Sequence, residues 1–247
     1  MSRFNDKTYL IIGATSGIGS TLSKRLLAEG ANTWLVSRDV EKMQILFSDF
    51  SNAKCLKCDL MNSEEIERLF ITLTDRKISF DGLVFCSGLS PLMRIDETDI
   101  KVLKETFQVN VISFIEVLKW FLSEKVSKDG ASIVVMSSVA ANIASYRQTV
   151  YASTKAALEE AVRCAAKEAI TRKIRVNAVS AGAVDTPMLG KLMEQSTSLR
   201  EKLEKLYPLG LITTDQVASQ ILFLLSECGA NTTGSVINID SGFLIYK

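Results

Sequence analysis

Tyr151 and Lys155 stand four residues apart in a 247-residue chain that contains no histidine, and Ser138 lies thirteen positions before the tyrosine. The missing histidine removes Ser-His-Asp hydrolysis, Cys-His proteolysis and histidine-ligated metal sites. It leaves lysine, tyrosine, cysteine and carboxylates as the groups able to move protons. Residues i and i+4 are neighbours on one helix face, so the Lys155 ammonium is expected beside the Tyr151 hydroxyl. Lowering a phenol pKa from about 10 to about 7 takes roughly 4 kcal/mol, which is about what one cation at ~4 Å supplies in a partly screened site. On this reading Tyr151 exchanges protons near neutrality. The competing reading is an ordinary amphipathic helix, since both residues share a stripe with Leu158 and Val162 and lysine stems snorkel along apolar surface.

A second set of residues points to a bound nucleotide. After the apolar run TYLII comes GATSGIG, in which Gly13, Gly17 and Gly19 lead into Leu22, Leu26 and Leu27 at helical spacing. Gly13 permits a tight turn, and Gly17 and Gly19 let a helix N-terminus with its unpaired N–H groups approach a pyrophosphate. A dinucleotide is the expected ligand. The spacing is GxxxGxG and not GxGxxG, and the plain alternative is a glycine-rich turn that binds nothing. Where the second strand ends, Ser37 and Arg38 come before Asp39. An acid there takes a ribose 2′-hydroxyl and an arginine pairs with a 2′-phosphate, so Arg38 favours NADP(H) over NAD(H). The alternatives are a solvated Arg38 and an Asp39 that merely caps the next helix. Asp59, closing the third strand on the same edge, either meets the adenine or caps the helix starting near Ser63.

These side chains need a scaffold that brings them to one edge. Short β-branched and apolar runs near 8–12, 33–37, 54–58, 82–86, 132–137, 175–180 and 235–239 read as strands. Stretches of helical period near 17–29, 39–47, 63–74, 98–122, 149–170 and 214–227 lie between them. This βαβ rhythm predicts an α/β fold, one doubly wound, Rossmann-type parallel sheet of about seven strands with helices on both faces. Such sheets bind ligands at the C-terminal ends of their strands, where Ser138 falls. No internal repeat, low-complexity tract or linker composition interrupts the chain, so residues 1–247 are expected to form a single domain.

Composition bounds the partners. The chain is 47% hydrophobic and 23% charged, with a net charge of +1 over interspersed acids and bases, which offers no basic stripe to a nucleic acid. A small-molecule partner is expected. No uncharged apolar run approaches the ~18 residues of a membrane helix. The N-terminus passes into a strand and glycine turn without the features of a signal peptide. Five scattered cysteines suit a reduced, cytoplasmic chain better than a disulfide framework. Cys55 and Cys58 form a lone CxxC with neither a second pair nor a histidine, which reads as half-buried strand and not as a metal or redox site.

In order and spacing, GATSGIG, Asn110, Ser138 in VVMSSVA, YASTK at 151–155, RVNAVSAG at 175–182 and Thr186 resemble the short-chain dehydrogenase/reductase family over nearly the whole chain. The resemblance implies an NAD(P)-dependent oxidoreductase acting on a carbonyl or secondary alcohol. It implies that Ser138 holds the substrate oxygen, that Tyr151 exchanges a proton with it, and that Lys155 binds the nicotinamide ribose while depressing the phenol pKa. Asn110 matches the family's fourth catalytic position, which kinks its helix and keeps a water in the proton relay. On the apolar stripe of Ile100, Leu103, Phe107, Phe114 and Leu118, a buried amide also needs partners of its own. The cofactor positions carried over are Gly13, Thr15, Ser16, Gly17, Ile18, Gly19, Ser37, Arg38, Asp59, Leu60, Ser87, Gly88, Tyr151, Lys155, Val184 and Thr186, with no metal.

Three turns depart from the family pattern. Cys86-Ser87-Gly88 stands in place of Asn-Ala-Gly, which removes an asparagine that braces the central strands. Ala181-Gly182 stands in place of Pro-Gly, which predicts a more mobile loop before Val184 and Thr186. Near the C-terminus, IDSG replaces an acid followed by two glycines.

Pro187 to Gly210 is expected to be a lid, with Met188, Leu189, Leu192, Met193, Leu203 and Leu206 facing an apolar substrate or else joining the core. Its charges nearly balance, Lys191, Arg200, Lys202 and Lys205 against Glu194, Glu201 and Glu204, so docking of an acidic carrier protein gains little support. The length and layout are nonetheless similar to those of 3-oxoacyl-thioester reductases. Ala152, Ala156, Ala157, Ala161 and Ala165 give the 149–170 helix small residues that let another helix approach, and related proteins pair such helices. A homo-oligomer is expected, a dimer or, by preference, a homotetramer. The function read from the sequence is reduction of a ketone or 3-oxoacyl-type carbonyl by NADP(H). The alternative is a non-catalytic NADP-binding scaffold or sensor on the same fold, suggested by the altered turns at 86–88 and 181–182.

Overall fold

In the computed structural model, which describes residues 3–194 and 199–246, the strands are β1 (Thr8–Ile12), β2 (Asn32–Ser37), β3 (Ala53–Lys57), β4 (Phe80–Phe85), β5 (Ser127–Ser138), β6 (Arg175–Ala181) and β7 (Val236–Ile239). They form one parallel sheet in the order β3-β2-β1-β4-β5-β6-β7. The helices are α1 (Gly17–Ala28), α2 (Val40–Leu46), α3 (Ser63–Asp75), α4 (Ile100–Phe107), α5 (Ser113–Phe121), α6 (Thr149–Ala169), α7 (Pro187–Glu194), α8 (Leu199–Leu206) and α9 (Thr214–Leu225).

Both faces of the sheet are covered, which is why the central strands are unbroken apolar runs such as Leu10, Ile11 and Ile12, all buried. On one face Tyr9, Ile11, Val84, Val134 and Val179 pack with Leu22 and Leu26 of α1, Met43 of α2 and Ile221 of α9. On the other, Leu10, Phe85, Ile133 and Val176 pack with Phe70 of α3, Phe114 and Phe121 of α5 and Leu158 and Val162 of α6. The order reverses between β1 and β4, so the turns after Ile12 and Phe85 flank the crevice where open sheets take ligands. Ser138 pairs in register with Ala181, and Ala181 with Ile239, which brings the ends of β5, β6 and β7 to the same rim.

Besides α7 and α8, helices within the segment expected only as a lid, two elements differ from the sequence expectation. The helix expected over 98–122 is divided: α4 and α5 are separated by a π-turn at Gln108–Ile112. A π-turn adds a residue and rotates the phase of the helix. Phe114 and Leu118 are therefore buried whereas Ile100, placed on the same stripe, is 60% exposed. β5 starts at Ser127 and not near 132, because Phe80 pairs with Ser127 before a register irregularity brings Gly82 opposite Ser132. The polar Lys128-Asp129-Gly130 within that irregularity carries no strand pattern to read.

Candidate active site

A cavity of about 860 Å³ opens above the crevice, within the range of small-molecule and cofactor sites. Every residue assigned to the cofactor lines it, and so do Ser138, Tyr151 and Lys155. The reason begins with α6. Its N-terminal half presents Tyr151, Lys155 and Glu159 on successive turns of one face, and three consecutive residues of β5 receive them. The Ser138 hydroxyl stands near enough to the Tyr151 hydroxyl to act on its pKa. The Lys155 Nζ donates to the Met136 carbonyl at 2.8 Å. Ser137 Oγ donates to Glu159 Oε1 at 2.7 Å, with both residues buried. Ser138 Oγ also accepts the Ala140 N–H at 3.2 Å, capping the short turn after β5.

Tyr151 and Lys155 share one face, as their spacing requires, with Nζ 5.6 Å from the centre of the phenol ring. The expected electrostatics are corrected, however. Burial raises the Tyr151 pKa above the ordinary phenol value, and it is the nearby Ser138 hydroxyl that opposes the rise. Burial is felt by the lysine too: at 4% exposure, Lys155 is lowered to about 8. Cys86 and Glu159 oppose that drop. Cys86 is itself pushed up to about 12 by burial and is a neutral thiol where Lys155 titrates, so Glu159 is the anion that matters. The cation is spent on its own desolvation and on a backbone carbonyl, and the phenol keeps its proton at neutral pH.

Asn110 does not line the cavity. It is fully buried within the π-turn, where Oδ1 accepts the Leu89 N–H at 2.7 Å. Its Nδ2 donates to the Leu89 carbonyl and to Thr154 Oγ1, each at 2.9 Å. The amide thus joins the turn after β4 to α6, one residue before Lys155. The three meet around Gly88, where an added Cβ would stand 3.4 Å from Asn110 Oδ1 and 3.5 Å from Lys155 Nζ.

The glycine turn has the form a pyrophosphate needs. Gly13 at φ +91° and Gly17 at φ +50° sit in the left-handed region. An added Cβ at Gly13 would come within 2.7 Å of Ser87 Oγ, and one at Gly17 within 3.2 Å of Thr186 Cγ2. At Gly19 a Cβ would run into the Gly13 carbonyl. Ser16 caps α1 with extended backbone but without a side-chain bond, and the first turn carries no acid. The N–H groups there are left to an anion. With Thr15 and Ile18 on the cavity wall beside them, these residues fit a dinucleotide.

At the end of β2, Ser37 Oγ lies 3.3 Å from Thr15 Oγ1 and Arg38 is exposed at the cavity rim. Asp39 Oδ1 accepts the Lys42 N–H at 2.9 Å and caps α2, the helix-capping role anticipated for it. Asp59 caps no helix: Oδ1 accepts the Met61 N–H at 3.0 Å, and Asn62 is the cap of α3. Leu60 is buried beside it, and its carbonyl accepts from Gln108 Nε2 at 3.3 Å.

The altered turns are braced in other ways. Cys86 holds β4 to β1 through its backbone N–H, donated to the Ile12 carbonyl at 2.8 Å. The loop after β6, expected to be loosened by its missing proline, is tied at three successive points. Gly182 N–H reaches the Ile239 carbonyl, Ala183 N–H the Tyr207 hydroxyl and Asp185 N–H the Ile212 carbonyl, at 2.8, 2.9 and 2.8 Å. In the C-terminal turn Asp240 accepts the N–H groups of Gly242 and Leu244 at 3.1 and 2.9 Å.

Of the lid residues, Met188, Leu189, Leu203 and Leu206 line the cavity, and Met193 is half-buried away from it. The side chains of Lys191, Leu192, Glu194, Arg200 and Glu204 lie outside what is described. Ile143, Ser145, Gln148, Tyr207 and Phe243 also line the cavity. None of these was picked out from the sequence, nor was Glu159, although its place one turn beyond Lys155 was a readable signal. Cys55 and Cys58 pack into opposite faces of the sheet, so the CxxC forms no site. Among the described residues no cluster could hold a metal ion, and no helix is long and apolar enough to cross a membrane.

Comparison with known proteins finds relatives along nearly the whole chain. Residues 13–244 match a family model described as enoyl-(acyl carrier protein) reductase. The carbonyl reductase family member 4 of Xenopus tropicalis is 30% identical over 240 residues, covering 96% of this chain and 97% of that one. The 3-oxoacyl-(acyl-carrier-protein) reductase FabG of Thermotoga maritima is 32% identical over 254 residues, covering 98% and 100%. The solved structure of ElxO with NADP bound superposes with a TM-score of 0.87 at 26% identity, covering 97% of this chain and 99% of that one. The chain belongs to the short-chain dehydrogenase/reductase family and is an NAD(P)-dependent oxidoreductase.

Proposed function

We propose that the protein reduces an apolar ketone or a 3-oxoacyl-type carbonyl to a secondary alcohol with NADPH, with Tyr151 as the proton donor. One observation carries this reading: Ser138, Tyr151 and Lys155 meet on the wall of the same cavity that the glycine turn lines. Bound reduced nicotinamide supplies a hydride to the carbonyl carbon. The chain's own residues place and protonate the oxygen. Ser138 Oγ and the Tyr151 hydroxyl, both on the cavity wall, offer two partners to a carbonyl oxygen. Burial holds the proton on Tyr151 until a strongly basic alkoxide draws it off. Lys155, an ammonium below about pH 8, then stabilises the phenolate left behind. Asn110 acts one step removed, holding the Leu89 turn and α6 in place.

The choice of NADP(H) over NAD(H) rests on Arg38 at the rim and on the engagement of Asp39 as a cap, and ElxO holds the same cofactor. The substrate end carries Leu89, Leu92, Ile143, Met188, Leu203 and Phe243, and α7 and α8 serve as its lid, residues 195–198 of the expected lid lying outside the described residues. The five free cysteines suit a reducing, cytoplasmic setting. A scaffold without turnover is the weaker reading, because binding a cofactor does not require Ser138 and Tyr151 to stand together beside Lys155 on the cavity wall. The test is loss of NADPH absorbance against a panel of apolar ketones and 3-oxoacyl thioesters. Tyr151→Phe is expected to lower kcat/KM by about 10²- to 10⁴-fold. A Phe variant with the wild-type rate removes the assignment.

A further inference from the structure

Tyr207, just beyond α8 and 4% exposed, is the point where three separate segments meet. Its hydroxyl accepts the Ala183 N–H at 2.9 Å. Its ring stacks on Phe243 of the C-terminal turn, with centroids 4.9 Å apart and planes 6° from parallel. Gly182 lies against the same ring so closely that an added Cβ would come within 2.5 Å of Cε1. The chain beyond Tyr207 then runs back along the loop: Ile212 N–H donates to the Ala183 carbonyl at 3.1 Å, and Asp185 N–H to Ile212 at 2.8 Å. One side chain therefore joins the end of the covering helices, the C-terminal turn and the loop leading to Val184 and Thr186.

We propose that Tyr207 is a positioning residue, a clasp that sets the 182–186 loop in the shape that receives the nicotinamide end of the cofactor. The inference rests on the reading that this loop faces the nicotinamide. The physical need is local. Gly182 is preceded by Ala181 and not by proline, so the backbone there has no ring to restrict it, and the unfolded chain has more freedom to lose. A hydroxyl acceptor fixed by ring stacking restores that restriction from outside the loop. The same clasp places Leu203 and Leu206, within one turn of Tyr207 on α8, over the cavity they line. Occupation of the substrate end and order in the nicotinamide loop are thereby linked through one aromatic residue.

Tyr207→Phe keeps the ring and removes the acceptor. In the cofactor-free protein, hydrogen–deuterium exchange at residues 182–186 is expected to quicken. The dissociation constant for NADPH, read from its fluorescence, is expected to rise about tenfold, as for a loop whose receptive shape is populated only about one time in ten. Gly182→Ala, which pushes the ring from the other side, should move both readouts in the same direction. Unchanged exchange in both variants would overturn the clasp, and so would quickened exchange with an unchanged NADPH dissociation constant. Exchange is measured without cofactor or substrate, so it reports on the clasp even if the proposed reduction fails.

Discussion

At the scale of single residues, the site is governed by what burial does to Lys155. Removing an ammonium from water lowers its pKa to about 8, and the Glu159 carboxylate one turn along opposes the shift. In the cofactor-free protein the ammonium is present below about pH 8 and is lost as pH rises through it, so kcat/KM for reduction should fall on that side. Glu159→Gln keeps an oxygen for Ser137 and removes the charge. The basic limb of the pH profile should move to lower pH by up to about one unit, with activity at pH 6.5 little changed. An unmoved limb would show that the two groups are not coupled. Arg38 offers a separate test at the other end of the cavity. Arg38→Ala should weaken NADPH by about ten- to a hundredfold, the range of a charge-assisted bond, while leaving NADH nearly as it was. Equal losses for both cofactors would mean that Arg38 does not read the 2′-phosphate.

At the scale of elements, the site is a matter of register between β5 and α6. Three strand residues, Met136 to Ser138, hold three helix residues spaced four apart, so a one-residue slip of either element would separate every pair. The strands and the i, i+4 face were legible because period and spacing survive in sequence. Apolar runs marked every strand of the sheet, and Tyr151 and Lys155 had to share a side. What escaped depended on tertiary partners. The apolar pattern from Ile100 to Leu118 does not show the π-turn, and only the family resemblance signalled a kink at Asn110, because the cause is the demand of that buried amide for the Leu89 backbone and Thr154, contacts made across the fold. Ser138 and Lys155 were found as side chains, but the carbonyl that takes the lysine belongs to Met136, and backbone acceptors leave no mark in a sequence. The direction of the tyrosine pKa was misjudged for a related reason. Spacing gives the separation of two charges but not their burial, and burial is the larger effect on both. The lid and clasp were least legible, since the pairing of Tyr207 with Ala183 spans 24 positions and depends on the ends of β6 and β7 lying side by side.

For the whole molecule, the remaining question is what covers the outer surface of α5 and α6. Of the five alanines that suggested a contact face, Ala165 is buried in the core beneath α6 and is withdrawn from that face, whereas Ala156 stays exposed and Ala152 half-exposed. Ile112 and Ile115, at the junction of the π-turn and α5, are 44% and 50% exposed, and the π-turn packs against α6. Small residues on one helix and branched apolar ones beside it suit close approach of a second copy through a two-fold axis, the commonest closed symmetry. Covering two half-exposed isoleucines in each copy favours association by about 1 kcal/mol per side chain, enough to orient an interface though not to sustain one alone. A second two-fold contact would complete a tetramer. Light scattering in dilute solution is therefore expected to give about four times the 27.2 kDa of one chain. Ile115→Glu, which places a charge in the contact, should lower that mass by breaking one set of interfaces while leaving the NADPH dissociation constant unchanged, because Ile115 does not line the cavity. A wild-type mass near 27.2 kDa would sink the assembly, and a tetramer indifferent to the glutamate would place its interfaces elsewhere.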